Sequence, residues 1–318
     1  MSSYDPTTVD IFYQFLVEDY CLVAAGAFYF YDILLTLDVE VDFFWKGPFT
    51  SATALFLANR YLALASLILD FFQLLPFRSD KSCALYERAG LALVYVQFLP
   101  PAVFSGLRAY ALSKNLSLAV LILVLSLVPF GINMADFGFQ LSGVVDPVFG
   151  CLTTDTESLS ISMKFTIIAR TCLITADILL IIITWARLYR KQIFSELSRP
   201  LTFERVLIQN GTLYFITLLI MNVLHLSFSL LSISGSGGGY SAVTAFTPAV
   251  TSVLISRFLL DLQRAKHKQH NMDNTSLTTL TFTNPSAMES MNFASRIMHS
   301  LGETLAGDTE VEAQGVEG

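Results

Sequence analysis

Charge is scarce in this chain: Asp, Glu, Lys and Arg make up 14% of its 318 residues while 53% are hydrophobic, against roughly 25% charged in an average soluble domain. A soluble reading fails on that ground. Histidine is scarce too, four in all, of which His267, His270 and His299 lie in or beside the C-terminal tail. Metal-dependent hydrolysis therefore lacks its ligands. There is no HExxH pair, no GxxxxGK[ST] loop and no GxSxG elbow, so no enzyme activity and no cofactor are expected. The stretch 241–260 contains no lysine, which removes the anchor for a retinal Schiff base. The glycine run at 235–239 follows no strand and reads as a flexible connection. Residues 1–12 carry no Lys or Arg; no cleavable leader is read there, and the first apolar stretch is expected to act as the insertion signal.

What the chain has in quantity is long apolar runs, near residues 13–36, 52–75, 89–112, 116–137, 162–188, 208–233 and 241–260. Each reaches the roughly 20 residues that a helix needs to cross a bilayer. Backbone groups in lipid must be satisfied within the segment, so runs of this length mean helices and not the alternating strands of a membrane barrel. The expectation is an all-α polytopic bundle of seven spans over 13–260. A short N-terminus (1–12) precedes it, and a basic juxtamembrane segment (261–270) and a disordered polar tail (271–318) follow. The juxtamembrane stretch interleaves Arg257, Arg264, Lys266 and Lys268 with apolar residues, a pattern open to an in-plane helix on anionic lipid or to an ordinary positive flank.

Orientation follows from the cations. One side collects Lys46, Arg108, Lys114, Arg187, Arg190, Lys191, Arg199, Arg205, Arg257, Arg264, Lys266 and Lys268, whereas the other collects Arg78, Lys81, Arg88 and Lys164. The richer side is expected to be cytosolic, with the N-terminus outside and the C-terminus inside. The sequons at Asn115, Asn210 and Asn274 then fall inside and stay unglycosylated. Cys83 and Cys151 fall outside, where a disulfide persists, and are expected to pair; Cys21 and Cys172 lie within spans as free thiols.

Polar residues inside spans are costly, about 2.5 to 3.5 kcal/mol for an Arg or Asp at a helix centre. Arg60 lies well within the second span and needs an acid, with Asp32 as first choice and Asp177 as second. A further set nearer the outer face, Glu18, Asp19, Asp70, Asn133, Asp136, Arg170, Asn222 and His225, would line a small-ligand cavity if it converged; taken singly, Glu18, Asp19, Asp70 and Asp136 read first as interfacial groups, and Asn222 and His225 as interhelical hydrogen-bonding groups. Pro129 and Pro248 within spans, and the pair Pro100 and Pro101 in the third, are expected to kink their helices.

The stretch 31–64, with Tyr31, Asp32, Thr36, Glu40, Trp45, Asn59, Arg60 and Tyr61, resembles the N-terminal signature of multi-pass membrane proteins of basidiomycete fungi that carry a domain of unknown function. LRAYAL at 107–112 and SRFLLDLQ at 256–263 resemble further features of that group. The resemblance implies a membrane protein and no particular activity. The plan is also similar to that of seven-helix G-protein-coupled receptors, but the third span ends in Leu107-Arg108-Ala109-Tyr110 rather than Asp-Arg-Tyr, and Thr247-Pro248 lacks the preceding Asn. Fold likeness alone does not carry function. The expectation is a receptor-like protein in a multi-pass membrane location, the plasma membrane first. It would sense a small extracellular ligand, and Arg108, Arg190, Lys191 and Arg205 would contact a cytosolic signalling protein. A transporter or channel, and a membrane organiser without a ligand, are the alternatives. Nucleic acid is not an expected partner.

Overall fold

A computed structural model of the chain describes residues 6–47, 49–73, 75–147, 149–195, 202–234 and 243–276. The apolar runs form helices throughout. Helix α1 (Pro6–Glu40) passes into a π-helical turn (Val41–Trp45), closed by the Lys46 amide donating to the Val41 carbonyl at 3.1 Å. Helix α2 (Ser51–Phe72) is capped by the Thr50 side chain, which accepts from the Thr53 amide, and α3 (Asp80–Val96) by Ser79 in the same way, each satisfying an amide that has no partner within its helix.

The expected kink at Pro100 and Pro101 is instead a break. Helix α3 stops at Val96 and α4 (Leu99–Ser113) starts afresh, so both prolines fall in a first turn, where a missing N–H costs no helical bond. Helix α5 (Leu116–Ala135) follows after a tight turn in which Lys114 adopts φ 55° and Asn115 Oδ1 accepts from the Ser117 amide. Helices α6 (Leu159–Ser195), α7 (Thr202–Ser234) and α8 (Val243–Ser276) complete the chain. Pro129 and Pro248 lie inside α5 and α8.

Taking α3 and α4 as one broken rod, the rods close a ring in chain order, with α8 returning to α1 and also packing on α2 and α4. Among the described residues, six stretches are long and apolar enough to cross a membrane: Phe12–Trp45, Ser51–Phe72, Asp80–Ser113, Leu116–Phe139, Ser160–Arg187 and Ala245–His267. The remaining rod, α7, has a shorter apolar section at Tyr214–Leu230 among the described residues. Large side chains such as Leu34, Leu116 and Ile182 face outward, as lipid requires and water does not tolerate in such quantity.

Two apolar clusters fill the interior. One gathers Phe56, Phe104, Ile122, Leu180, Phe215 and Leu260; the other gathers Ala25, Tyr29, Leu67 and Val253 between α1, α2 and α8. Two boundaries differ from expectation. Residues 261–270 continue α8 without interruption, and helix also covers 271–276 of the segment expected to be disordered. The glycine run at 235–239 and the tail from 277 onward lie outside the described residues.

Between α5 and α6 stands an element not anticipated from the sequence: a β-hairpin of β1 (Ser142–Asp146) and β2 (Gly150–Thr154), antiparallel, with Val145 opposite Cys151. It packs on α3. The disulfide Cys83–Cys151 joins them with a Cα–Cα distance of 5.6 Å, and both sulfurs are buried. Asp80 Oδ1 accepts from the Val145 amide at 2.9 Å, Arg88 Nε donates to the Leu141 carbonyl at 2.8 Å, and Thr153 donates to Glu87 at 2.6 Å. Gly143 is required by close approach: a Cβ there would lie 2.7 Å from Cys83 Sγ and 2.9 Å from the Cys83 carbonyl carbon.

Candidate functional site

The end of the bundle away from the hairpin holds a cluster of four charges on three helices, with Arg60, Asp32 and Glu40 buried and Arg257 part-exposed at its edge. Arg60 on α2 is 1% exposed, and its Nε lies 2.7 Å from Glu40 Oε2. Its Nη1 donates to Asp32 Oδ2 at 3.4 Å, and its Nη2 donates to Thr36 Oγ1 at 2.6 Å and to the Ile33 carbonyl at 3.4 Å. Asp32 has a second and closer cation, Arg257 on α8, whose Nε donates to Oδ1 at 2.6 Å. Two arginines face two carboxylates, so the set is neutral overall; a buried charge without its partner would cost several kcal/mol.

Neutral donors finish the cluster. Glu40 Oε1 accepts from the Tyr61 hydroxyl at 2.8 Å and from Trp45 Nε1 at 3.2 Å. The Trp45 contact depends on the π-helical turn, whose extra residue per turn re-aims side chains relative to α-helical spacing. The same turn places Phe44 flat on Phe56, ring centroids 4.0 Å apart.

Above the charges, the Tyr29 hydroxyl donates to the Arg60 carbonyl at 2.7 Å. Asn59 Nδ2 donates to the Ser252 carbonyl at 2.9 Å and to Ser256 Oγ at 3.0 Å, and Ser252 Oγ returns a bond to the Asn59 carbonyl at 3.0 Å. Side chains from α1, α2 and α8 thus satisfy one another in a region closed to water. Such a network holds a unique arrangement, because each missing member leaves a buried polar group unpaired.

The expected Arg60–Asp32 pair is present, but it is the looser of the two contacts that Asp32 makes. Glu40 and Arg257 were not anticipated as partners. Glu40 was placed beyond a span ending at 36, whereas α1 runs on through it; Arg257 was placed in a surface cluster. One acid for one arginine was too few members: Arg60 alone cannot balance two buried acids, and that imbalance was the available signal.

Asp177, the second choice for Arg60, is elsewhere, accepting from Asn222 Nδ2 at 2.8 Å between α6 and α7. Nearby His225 is buried and within hydrogen-bond range of Thr247, with half-buried Arg170 in electrostatic reach. Glu18, Asp19 and Asp70 are half-buried on α1 and α2, and Asp70 lies in electrostatic reach of Glu18 and Glu87. With α8 between α1 and α7 in the ring, no hydrogen bond or ion pair among the described residues links the acids to the Asp177 group. Asn133 is half-buried on α5.

Arg108, expected on the surface, is buried instead. Its guanidinium lies 4.3 Å from the Phe215 ring centroid and 4.6 Å from that of Phe258, a cation–π arrangement that offsets part of the desolvation cost. The side chains of Asp136, Arg190, Lys191 and Arg205 lie outside the described residues.

A helical bundle with an apolar exterior and its charges paired within is an integral membrane protein. Residues 20–65 match the model of a family of unknown function, DUF6533. That stretch carries Tyr29, Asp32, Thr36, Glu40, Trp45, Asn59, Arg60 and Tyr61, the α1 and α2 share of the charge cluster. No curated protein matches the chain.

Proposed function

We propose that the chain crosses the membrane seven times, with α7 as the remaining span, the N-terminus outside and the C-terminus inside, and that it acts as a receptor-like sensor of a small extracellular ligand. The orientation rests on two supports: the disulfide-bonded hairpin calls for an oxidising compartment, and the turns bearing Lys46 and Lys114, with the Arg257–Arg264 end of α8, lie at the opposite end of the bundle. The observation that carries the sensing role is the neutral four-charge cluster joining α1, α2 and α8. Asp32 there is shared unequally between two arginines, at 3.4 and 2.6 Å, and an unequally shared acid is the kind of two-state element on which a ligand's differential affinity can act. The receptor would pass its signal through Arg190, Lys191 and Arg205 to a cytosolic protein, from a plasma-membrane location and without enzymatic activity or cofactor. The kinship to basidiomycete membrane proteins belongs to the same reading.

The test is ligand-dependent partner recruitment in reconstituted membranes. Neutralising Arg190, Lys191 and Arg205 together is expected to abolish recruitment while leaving ligand binding intact; simultaneous loss of both, or ligand binding without any recruited partner, counts against a receptor. A second reading has its own observation, the Asp177–Asn222 pair with His225 and Arg170 between α6 and α7. As a transporter or channel, the protein would carry a small solute into sealed vesicles, and Asp177→Asn would remove that flux.

A further inference from the structure

Arg257 makes less use of its donors inside the protein than a buried arginine normally does. Its Nε is committed to Asp32, yet the side chain is 47% exposed while Asp32 is 2% exposed. A guanidinium carries five N–H donors in a planar fork; here Nε faces Asp32, and among the described residues no hydrogen bond or ion pair is recorded for the Nη groups, with the Tyr214 hydroxyl in electrostatic reach. Next to Asp32 along α1, Tyr31, Leu34 and Leu35 are all exposed, so the outer face of α1 at that level is largely apolar. Seven residues on, a spacing that returns to the same helix face, Arg264 is 53% exposed and held only loosely to Asp261, at 3.6 Å. The outward face of α8 thus carries two part-exposed guanidinium groups, with the Asp261 carboxylate, which accepts from the Tyr214 hydroxyl at 3.2 Å, between them and the apolar face of α1 beside them.

We propose that Arg257 and Arg264 form a binding site for the phosphate of an anionic phospholipid, whose acyl chains lie along the exposed face of α1. The geometry supplies each requirement. The Nη edge of Arg257 offers the paired donors that a phosphate accepts bidentately, Asp32 holds the side chain in place from behind, and Arg264 adds the second charge toward the headgroup layer. The site requires only that the bundle stand in a bilayer, and it does not depend on receptor activity.

The test is binding of phosphatidic acid to the full-length protein in neutral detergent micelles, read by native mass spectrometry, with phosphatidylcholine and inorganic phosphate as the comparison probes. Wild-type protein is expected to retain phosphatidic acid in preference to phosphatidylcholine, and a large excess of inorganic phosphate is expected not to displace it. Arg264→Gln is expected to weaken retention roughly fivefold, as the loss of one surface cation near anionic lipid implies. Arg257→Lys, which keeps the charge and loses the fork, is expected to weaken it at least as much. Because Arg257→Lys also touches the buried cluster, its melting temperature is followed in parallel, and Arg264→Gln, outside that cluster, decides the matter if the lysine variant does not fold. Equal retention of both lipids, displacement by inorganic phosphate, or wild-type retention by Arg264→Gln would overturn the proposal.

Discussion

At the scale of single residues, the stability of the charge cluster is dominated by what happens when one member is left alone. Glu40→Gln leaves Arg60 with only its looser acid, and is expected to cost about 3 kcal/mol of stability, seen as a lowered thermal midpoint in detergent. Tyr61→Phe removes one hydrogen bond to the same carboxylate from a partly exposed position and is expected to cost only about 1 kcal/mol. If the two substitutions proved equally damaging, the ion pair would not be the dominant contact of Glu40. Much of this site is legible in the sequence, since a lone arginine amid LFLANRYLALASL demands an acid and Asp32 is the acid at compatible depth. Glu40 escapes such a reading because it follows a polar, acidic run that looks like the end of a span. Arg108 escapes for a different reason: ring faces from α7 and α8 solvate it, and no spacing within its own helix announces partners so far along the chain.

Among the elements, the hairpin and the start of α3 behave as one unit. Gly143→Ala is expected to force β1 off Cys83 and uncover the bridge, so that a mild thiol reductant opens it faster than in the wild type, read as labelling above the two thiols of Cys21 and Cys172; an unchanged rate would mean that the strand can shift without uncovering the bridge. Cys83→Ser removes a link closing a loop of 68 residues and is expected to lower stability by about 2 to 4 kcal/mol, measured by the same thermal assay. The bridge itself is readable from four cysteines of which only two lie outside apolar runs. The strands are not readable, because five-residue pairings such as SGVVD and GCLTT carry too little alternation to stand out. Nor is the α3–α4 break, since a proline pair inside an apolar run looks the same whether it bends a helix or begins a new one.

For the whole molecule, the decisive prediction concerns where the two ends lie. Tags at the N- and C-termini are expected to differ in access to an impermeant protease in intact cells; equal access would require an even number of crossings, and protection of both ends would remove the outer position of the hairpin. The helical, membrane-embedded class is legible from composition alone, because apolar runs of this length have no other stable outcome in lipid. How the rods pair is not, since that depends on contacts between residues widely separated in sequence. Asp32 and Arg257, for example, are 225 positions apart. A ribosome therefore delivers the acid long before its closer cation, and the nascent α1–α2 pair holds two carboxylates against the single guanidinium of Arg60. Asn59, too, waits for Ser252 and Ser256. The last of the described helices to be synthesised is thus the one that neutralises the first, and a chain stopped short of α8 would enter the bilayer with an acid it cannot balance.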